Sequence, residues 1–368
     1  MQKPVRTLVI TNTMDAGGAE TFLMKVYRTM NKEQNQFDFL INKQDKCFYE
    51  NEISEKGGRI FRGISKSKNP IKSFIRVYRI IKDNNYKSVL CVAVHPLVAI
   101  DLLAVKLGGA KIRLVRSTNS SAGGGGISNF LANMCRPLVR CLATSYLAPS
   151  FEAGVWLFGK KAVECGKVEI ITNGIQVENY EFDEKKRNSI REEFDLNGNF
   201  VIGHVGRFNR QKNHSFLLDT FKCICDENLE ARLLLVGTGE LETQIKEKAI
   251  SLGIRDKIIF AGVRSDVPEL LMAMDVLIFP SLYEGMPNVV IEAQATSLPC
   301  VISDTISKDV RITDCVSFVS LSDSSDEWAN VAIAKAKKTR KNLCEEIIAK
   351  GYSIEETTKY LTECFVED

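Results

Sequence analysis

What most constrains this chain is a rhythm: short, near-continuous apolar runs, each followed by an amphipathic stretch, along its whole length. The first series reads "RTLVITN" (6–12), "FDFLI" (37–41), "SVLCVAV" (88–94), "IRLVR" (112–116), "SYLAPS" (145–150) and "VEIIT" (168–172). The second reads "FVIGHVG" (200–206), "RLLLVG" (232–237), "KIIFAG" (257–262), "DVLIFPS" (275–281), "PCVIS" (299–303) and "VSFVS" (316–320). Runs without polar alternation suit strands buried on both faces, as in parallel sheets covered by helices. Each half is therefore expected to be a doubly wound α/β domain. The charged segment 176–199, "QVENYEFDEKKRNSIREEFDLNGN", separates the series and reads as a linker with a short helix. No period of 20–50 residues repeats, which excludes a solenoid. The glycines of "SAGGGGIS" (121–128) predict a mobile loop.

Composition narrows the function classes. The 368 residues suit two ordinary domains or one large one, and 45% hydrophobic with 26% charged residues is normal for a globular protein with real cores. A net charge of +3 is too mild to argue for nucleic acid. The chain lacks the apolar run that a spanning helix needs, and the short run Leu8 to Ile10 cannot serve as a signal-peptide core. Eleven scattered cysteines without a CxxC pair read as a reduced, intracellular protein. Three histidines, no HExxH and no DxD leave no recognisable metal motif, so no metal is expected.

Several stretches could hold phosphate. "GVWLFGKK" (154–161) nearly spells a P-loop, but Lys161 stands where the magnesium ligand belongs, so it reads as a helix end with exposed lysines. Gly237 opens a "GTG" directly after a buried strand, where α/β domains bind ligands. In "HVGRFNRQKN" (204–213), Arg207 and Lys212 follow a strand end, and two cations there either clamp a diphosphate or merely solubilise a loop. In "MDAGGAE" (14–20), Gly17 and Gly18 allow backbone to approach a ligand, although a tight strand–helix turn needs only one glycine. "SLYEGMPNVVIEA" (281–293) places Glu284 before a helix and Glu292 inside it, either as a solvated face with a start signal or as a ligand site.

Taken together these pieces resemble the retaining glycosyltransferases of family 4, which have the GT-B fold of two Rossmann-like domains facing across a cleft. The likeness is strongest to the bacterial branch that makes exopolysaccharide and capsule. It rests on "GGAE", "ITNGIQVENYEF" (171–182), "GRFNRQKN", "LLLVGTGELE", "AGVRSDVPELL" and "SLYEGMPNVVIEAQATSLPCVISD", in that order. The last contains the family's E-x7-E pattern in Glu284 and Glu292. The resemblance implies an acceptor-binding domain over 1–175, to which 352–368 returns as a closing helix, and a donor-binding domain over 176–351. It implies a nucleotide-sugar donor, with uridine preferred, and a glycan or lipid-diphosphate-linked acceptor.

By position, the resemblance sets Arg207 and Lys212 at the donor diphosphate, Glu284 by the donor sugar and Glu292 at the ribose hydroxyls. Gly285, Met286, Asn288 and Val289 fall at the helix start, where free N–H groups and the dipole favour an anion. Gly17, Gly18, Gly237 and Val263 complete the donor-binding set. It implies retaining chemistry without a metal, the leaving phosphate oxygen taking the acceptor's proton. His95 in "AVHPL" matches one family histidine and either orients a sugar or serves the structure. A second expected histidine is missing: "RLVRSTNSS" offers Arg116, Thr118 or Asn119 instead. That departure keeps two rivals in view, a GT-B sugar-nucleotide epimerase and a catalytically silent donor-binding subunit.

"NPIKSFIRVYRIIKDNN" (69–85) sets Ile71, Phe74, Ile75, Tyr78 and Ile81 on one helical face, with Lys72, Arg76, Arg79 and Lys82 opposite. "ISNFLANMCRPLVRCLATSYLA" (127–148) carries Arg136 and Arg140 one turn apart. Both are candidate contacts with an anionic membrane surface. The expected location is the cytoplasm, peripheral on the inner face of the cell membrane.

Overall fold

The computed structural model describes all residues except 1–3, 16, 67, 119–125, 338 and 367–368, with side chains 126–129 also undescribed. The loop over 121–128 and Asn119 therefore lie wholly or mostly outside the described residues. The chain divides into two compact units, Met1–Ile175 with Gly351–Asp368, and Gln176–Lys350.

The first unit contains seven parallel strands: β1 (Val5–Thr11), β2 (Asn35–Ile41), β3 (Ile60–Arg62), β4 (Ser88–Ala93), β5 (Ile112–Ser117), β6 (Ser145–Ala148) and β7 (Val168–Ile170). Their order is β3-β2-β1-β4-β5-β6-β7. The chain thus winds outward in one direction from β1 and in the other from β4, making the carboxyl ends of β1 and β4 the topological switch point. Side chains alternate between two cores: Leu8 and Ile10 pack on one side, Val9 on the other. Strand β3 escaped the sequence reading because "IFR" is three residues long and half-buried, with no apolar run.

The second unit has six parallel strands, β8 (Phe200–Val205), β9 (Ala231–Val236), β10 (Ile258–Gly262), β11 (Val276–Phe279), β12 (Cys300–Ser303) and β13 (Val316–Val319). Their order is β10-β9-β8-β11-β12-β13, so its switch point lies between β8 and β11. Both halves are doubly wound.

Two local expectations change and one holds. The segment 176–199 is an integral part of the second unit: Arg187 and Arg191, one turn apart on the helix Glu184–Glu193, reach the two oxygens of Asp275 at 2.6 and 2.7 Å. The expected helix end in "GVWLFGKK" holds: the helix Phe151–Phe158 ends at Gly159 with φ 89, and Lys160 and Lys161 beyond it are exposed. The helix Pro70–Asn84 buries Ser73, Val77, Ile80 and Ile81, leaving Ile71 and Ile75 exposed beside Lys72, Arg76 and Arg79. The i, i+4, i+7, i+8 spacing of the buried four is the helical one, and the sequence reading placed the stripe on a neighbouring face.

The tail returns from Gly351. Its helix Ile354–Glu363 buries Ile354, Thr357, Thr358 and Leu361, and Ser353 bridges to Ile175. Phe365 meets Phe37 edge-on at 5.6 Å, joining the core that contains Val9 and Phe39.

An ion cluster on β2 gives the fold an acid-sensitive point. Asp38 is fully buried and accepts from Arg6 Nε at 2.8 Å, Arg59 Nη2 at 2.8 Å and the Tyr86 hydroxyl at 2.6 Å. Burial pushes its carboxyl up, but those hydrogen bonds outweigh it and hold the group at about 2. A depressed carboxyl stabilises the fold fully above its unfolded value near 4 and loses that contribution as pH falls toward 2. Asp38→Asn should therefore flatten the decline in melting temperature below roughly pH 4; an unchanged acid limb would remove Asp38 as its source.

Candidate functional site

The switch-point end of the second unit is built from two loops laced together. After β8 comes "GRFNRQKN". Asn209 Oδ1 accepts from Lys212 N at 3.2 Å, closing a 3-10 turn over Arg210–Lys212. Asn213 leaves that turn with φ 55, a left-handed conformation that asparagine tolerates better than most residues, and opens the helix His214–Glu227. After β11 comes "PSLYEGMP". Leu282 N donates to Gln211 O at 2.8 Å and Gln211 Nε2 to Tyr283 O at 2.9 Å, so the loops are fixed to each other. Thr305 Oγ1 and a backbone bridge from Glu284 to Ile306 hold the second loop from its other side.

This lacing brings Lys212 Nζ to 2.6 Å from Glu284 Oε1, with both side chains largely buried. The ammonium also lies 4.4 Å above the ring of Phe279, the last residue of β11. Gly206 makes room for the lysine stem, since a Cβ there would meet Lys212 Cε at 3.1 Å. Beneath Phe279 lie His204, stacked on it at 5.3 Å, and His214, 4.6 Å from His204. Burial pushes both imidazoles down, His204 well below its usual value and His214 to about 4, with Lys212 adding to the effect. They stay neutral, so neither imidazole adds a charge beside Lys212. The pair, inconspicuous as sequence, was not among the expected site residues.

Glu292 is buried in the helix Asn288–Ala295, whose N-cap is Pro287. It stands one turn into that helix. The buried Tyr180 hydrogen-bonds to it, and burial followed by Glu292 pushes the tyrosine well above its ordinary value. Asn288 and Val289 open the helix, while Gly285 and Met286 lie in the loop before it. Gly237 has φ 130 and faces the first loop so closely that a Cβ would strike the Gly206 carbonyl oxygen. Only glycine allows that approach. Val263 follows β10 and is 58% exposed. Arg207 is not drawn to Glu284; it is mostly exposed, with Glu240 at 3.4 Å.

The first unit carries its own opening at the switch point, a cavity of about 400 Å³. Asn12 after β1, Asn42 and Lys43 after β2, Lys66, and His95 after β4 supply polar groups; Val94, Leu97 and Val98 supply an apolar wall. Of these the sequence reading singled out His95 alone, although polar residues just beyond strand ends at a switch point are a readable signal. His95 caps the 3-10 helix Pro96–Val98, its Nδ1 accepting from Leu97 N at 3.1 Å, and meets Trp156 edge-on at 5.9 Å. Its neutral form thus carries the proton on Nε2.

Gly17 is the N-cap of the helix Gly18–Thr29, with φ −115, a conformation open to any residue. The pair of glycines is therefore not required by the turn at Gly17. Arg116, one candidate for the missing histidine's place, is fully buried, its guanidinium 3.8 Å over the Phe22 ring and 2.6 Å from Asn173 Oδ1. Burial pushes it down to about 9. It serves the core, and Thr118, bonded to Ala93 O, is the described residue that leaves the strand end.

Two doubly wound parallel sheets are the arrangement of the GT-B fold, and the chain belongs to the glycosyltransferases that have it. Residues 199–334 match the model described as glycosyl transferases group 1. The chain is 33% identical to "Putative glycosyltransferase EpsF" of Bacillus subtilis (strain 168), over 98% of this chain and 96% of that one. It is 34% identical over 142 residues, 38% of this chain and 37% of the relative, to UDP-Gal:alpha-D-GlcNAc-diphosphoundecaprenol alpha-1,3-galactosyltransferase of Escherichia coli. The fold matches that of Anabaena HepE in complex with UDP-glucose at TM-score 0.78 and 16% identity, covering 97% of this chain and 98% of that one. These relatives do not favour the epimerase or silent-subunit readings.

Proposed function

We propose that the chain is a retaining, metal-independent transferase moving a hexosyl group from a UDP-sugar to a glycan or lipid-diphosphate-linked acceptor in surface polysaccharide assembly. The observation that carries this reading is the desolvated Lys212–Glu284 pair beside the start of the helix Asn288–Ala295. The named activity of the Escherichia coli relative and the ligand held by HepE supply the donor class.

The donor diphosphate displaces Glu284 from Lys212, whose charge, with Arg207 and the amides of Asn288 and Val289, stabilises the departing anion. Gly285 and Met286 let the donor approach that helix start, and Gly237 and Val263 border it at the ends of β9 and β10. Glu284, released, accepts from the donor sugar's hydroxyls, and Glu292 from those of the ribose. The bond from the anomeric carbon to phosphate oxygen breaks, and the acceptor oxygen bonds to that carbon on the same face. The hydroxyl proton passes to the leaving phosphate oxygen, so no strong protein base is needed. Gly17 and Gly18 border the acceptor unit's switch point, with His95. Nucleotide sugars incubated with and without lipid diphosphate acceptors, in the presence and absence of a chelator, test this. Acceptor-dependent, chelator-resistant transfer with an unchanged anomeric configuration is expected; inversion, or abolition by the chelator that added metal reverses, would sink it.

We also propose peripheral association with an anionic membrane. The helices Pro70–Asn84 and Gly126–Leu142 both pack against Ala99–Leu107 in the first unit. Together the three expose Ile71, Ile75, Leu103, Leu107, Phe130 and Met134, with Lys72, Arg76 and Arg79 among them. Exposed apolar side chains together with exposed cations suit the headgroup boundary of acidic lipids. Arg136 and Arg140, half-exposed on the second of these helices, donate to the Trp156 and Phe158 carbonyls at 2.8 and 3.1 Å. Among the described residues no helix is long and apolar enough to cross a membrane. Co-sedimentation with anionic vesicles should weaken as salt rises and fall in Phe130→Ser with Met134→Ser. Absent or salt-insensitive binding would count against it.

A further inference from the structure

A second cavity, of about 310 Å³, lies within the first unit, between the end of the helix Gly18–Thr29, the start of β2 and the tail helix Ile354–Glu363. It sits at the first residue of β2, whereas the switch-point cavity lies beyond the last. The strand between them runs roughly 20 Å at about 3.3 Å per residue, and the two cavities share no residue. This lining leaves polar atoms unsatisfied. Thr358 and Asn35 are 4% and 9% exposed, yet Thr358 Oγ1 and Asn35 Oδ1 have no hydrogen-bond partner among the described residues. Thr29 Oγ1, at the end of the first helix, is equally unpartnered. The floor continues the pattern. Asn35 shares its face of β2 with Phe37 and Phe39, and on the same face of the sheet Thr7 and Ser88, paired in register, also carry unpartnered hydroxyls. Buried polar atoms without partners are costly and few in native proteins, so a group of them around one cavity calls for something to satisfy it.

The chemistry of these atoms selects the ligand. None carries a charge. Lys359 and Glu355, one turn apart on the tail helix, are exposed at the rim and offset each other. Lys32, in the turn before β2, is committed to the Tyr27 and Met30 carbonyls. Among the described residues of the lining, no buried cation awaits a phosphate and no buried carboxylate awaits a cation. Asn35 Oδ1 only accepts, whereas the threonine hydroxyls both donate and accept. A ligand that meets all three must bring donors and acceptors on one small, uncharged body. A sugar ring does so, and the buried Met30 offers its carbon face an apolar contact. The volume stands at the small end of the range for ligand pockets, roughly 300–1,000 Å³, which admits one ring.

We propose that this cavity binds one uncharged sugar ring, apart from the switch-point cavity, with Thr29, Asn35 and Thr358 holding its hydroxyls. In a glycan-building enzyme that ring is a unit of the chain already made, and for this clause alone the proposal rests on the transferase reading. The full chain, labelled isotopically at its methionine methyls, is titrated with the methyl glycosides of glucose, galactose and N-acetylglucosamine. The corresponding free sugars distinguish a metabolite from a chain unit, and inorganic phosphate is the counter-probe. The Met30 methyl signal, assigned through Met30→Leu, reports on this cavity without requiring turnover.

At least one sugar should shift the Met30 methyl saturably. Preference for the methyl glycoside marks a unit of a chain, preference for the free sugar a metabolite, and both support the site. Thr358→Val and Thr29→Val, which keep the shape but lack the hydroxyl, should each weaken binding roughly three- to tenfold, the value of one hydrogen bond. Neither should lower the melting temperature, because an unpartnered hydroxyl contributes nothing to the fold. No shift with any sugar would mean that water alone fills the cavity, and would overturn the proposal. So would a shift indifferent to both variants, a preference for phosphate, or a melting temperature lowered by the valine substitutions. Failure of UDP-sugar transfer with the Met30 shift intact would instead count against the transferase reading and leave the site standing.

Discussion

Lys212→Ala is expected to lower kcat by about 10²–10³, the cost of removing one well-placed group from developing negative charge. Donor affinity should change far less. The reason lies in the lysine's surroundings. It is 16% exposed, stands over an aromatic ring, and has only neutral imidazoles below it. A charge held in such a dry setting interacts more strongly with an anion than one in water. It is also held in place before the ligand arrives, by Asn209 and by the bonds from Gln211. Glu292→Ala should show the opposite split, raising the donor KM with a smaller change in kcat, because ribose contacts are made equally in ground and transition states. Steady-state kinetics with a UDP-sugar decide both. Wild-type kcat in Lys212→Ala, or unchanged donor KM in Glu292→Ala, would withdraw the corresponding role.

The second large effect concerns stability. Asp275→Ala is expected to destabilise the second unit by about 3–5 kcal/mol, the range for breaking a buried ion pair from one side. For a unit of this size that corresponds to a fall of roughly 6–20 °C in melting temperature. Asp275 accepts from Arg187, Arg191 and the Val201 amide, the last at 2.8 Å. Without it the two guanidiniums would face each other, near Arg340, whose own charge burial already disfavours, pushing it to about 9. The carboxylate thus ties the helix Glu184–Glu193 to the first residues of β8 and β11. Asp275→Asn, which keeps the shape and one acceptor, should cost less. An unshifted melting curve in Asp275→Ala would show that the arginines find other partners, among them the Met272 and Ala273 carbonyls they already reach.

The strands of both sheets were legible because a parallel strand buried on two faces leaves an unmistakable apolar run. Only β3 was lost, being too short to leave one. The helix Pro70–Asn84 shows where periodicity falls short: its apolar residues exceed what one face can bury, and packing against Ala99–Leu107 chose Val77 and Ile80 over Ile71 and Ile75. Glu284, Glu292, Arg207 and Lys212 were singled out from motif order and spacing. Their partners were not. Nothing in the spacing of 72 residues says that Lys212 meets Glu284 while Arg207 stays in solvent with Glu240.

By itself, then, the sequence determined the class of fold, the number of doubly wound halves and the loops that follow their strands. These depend on local pattern, on apolar runs, glycines and caps that act within a few residues. The tertiary structure decided which charges meet, which stay dry and which cancel. Lys212 is desolvated by Phe279 and two neutral histidines, whereas Lys43 and Lys66 are each matched by an aspartate brought in by the fold. Electrostatic strength depends on distance and on exclusion of water, and both are properties of residues far apart in the chain.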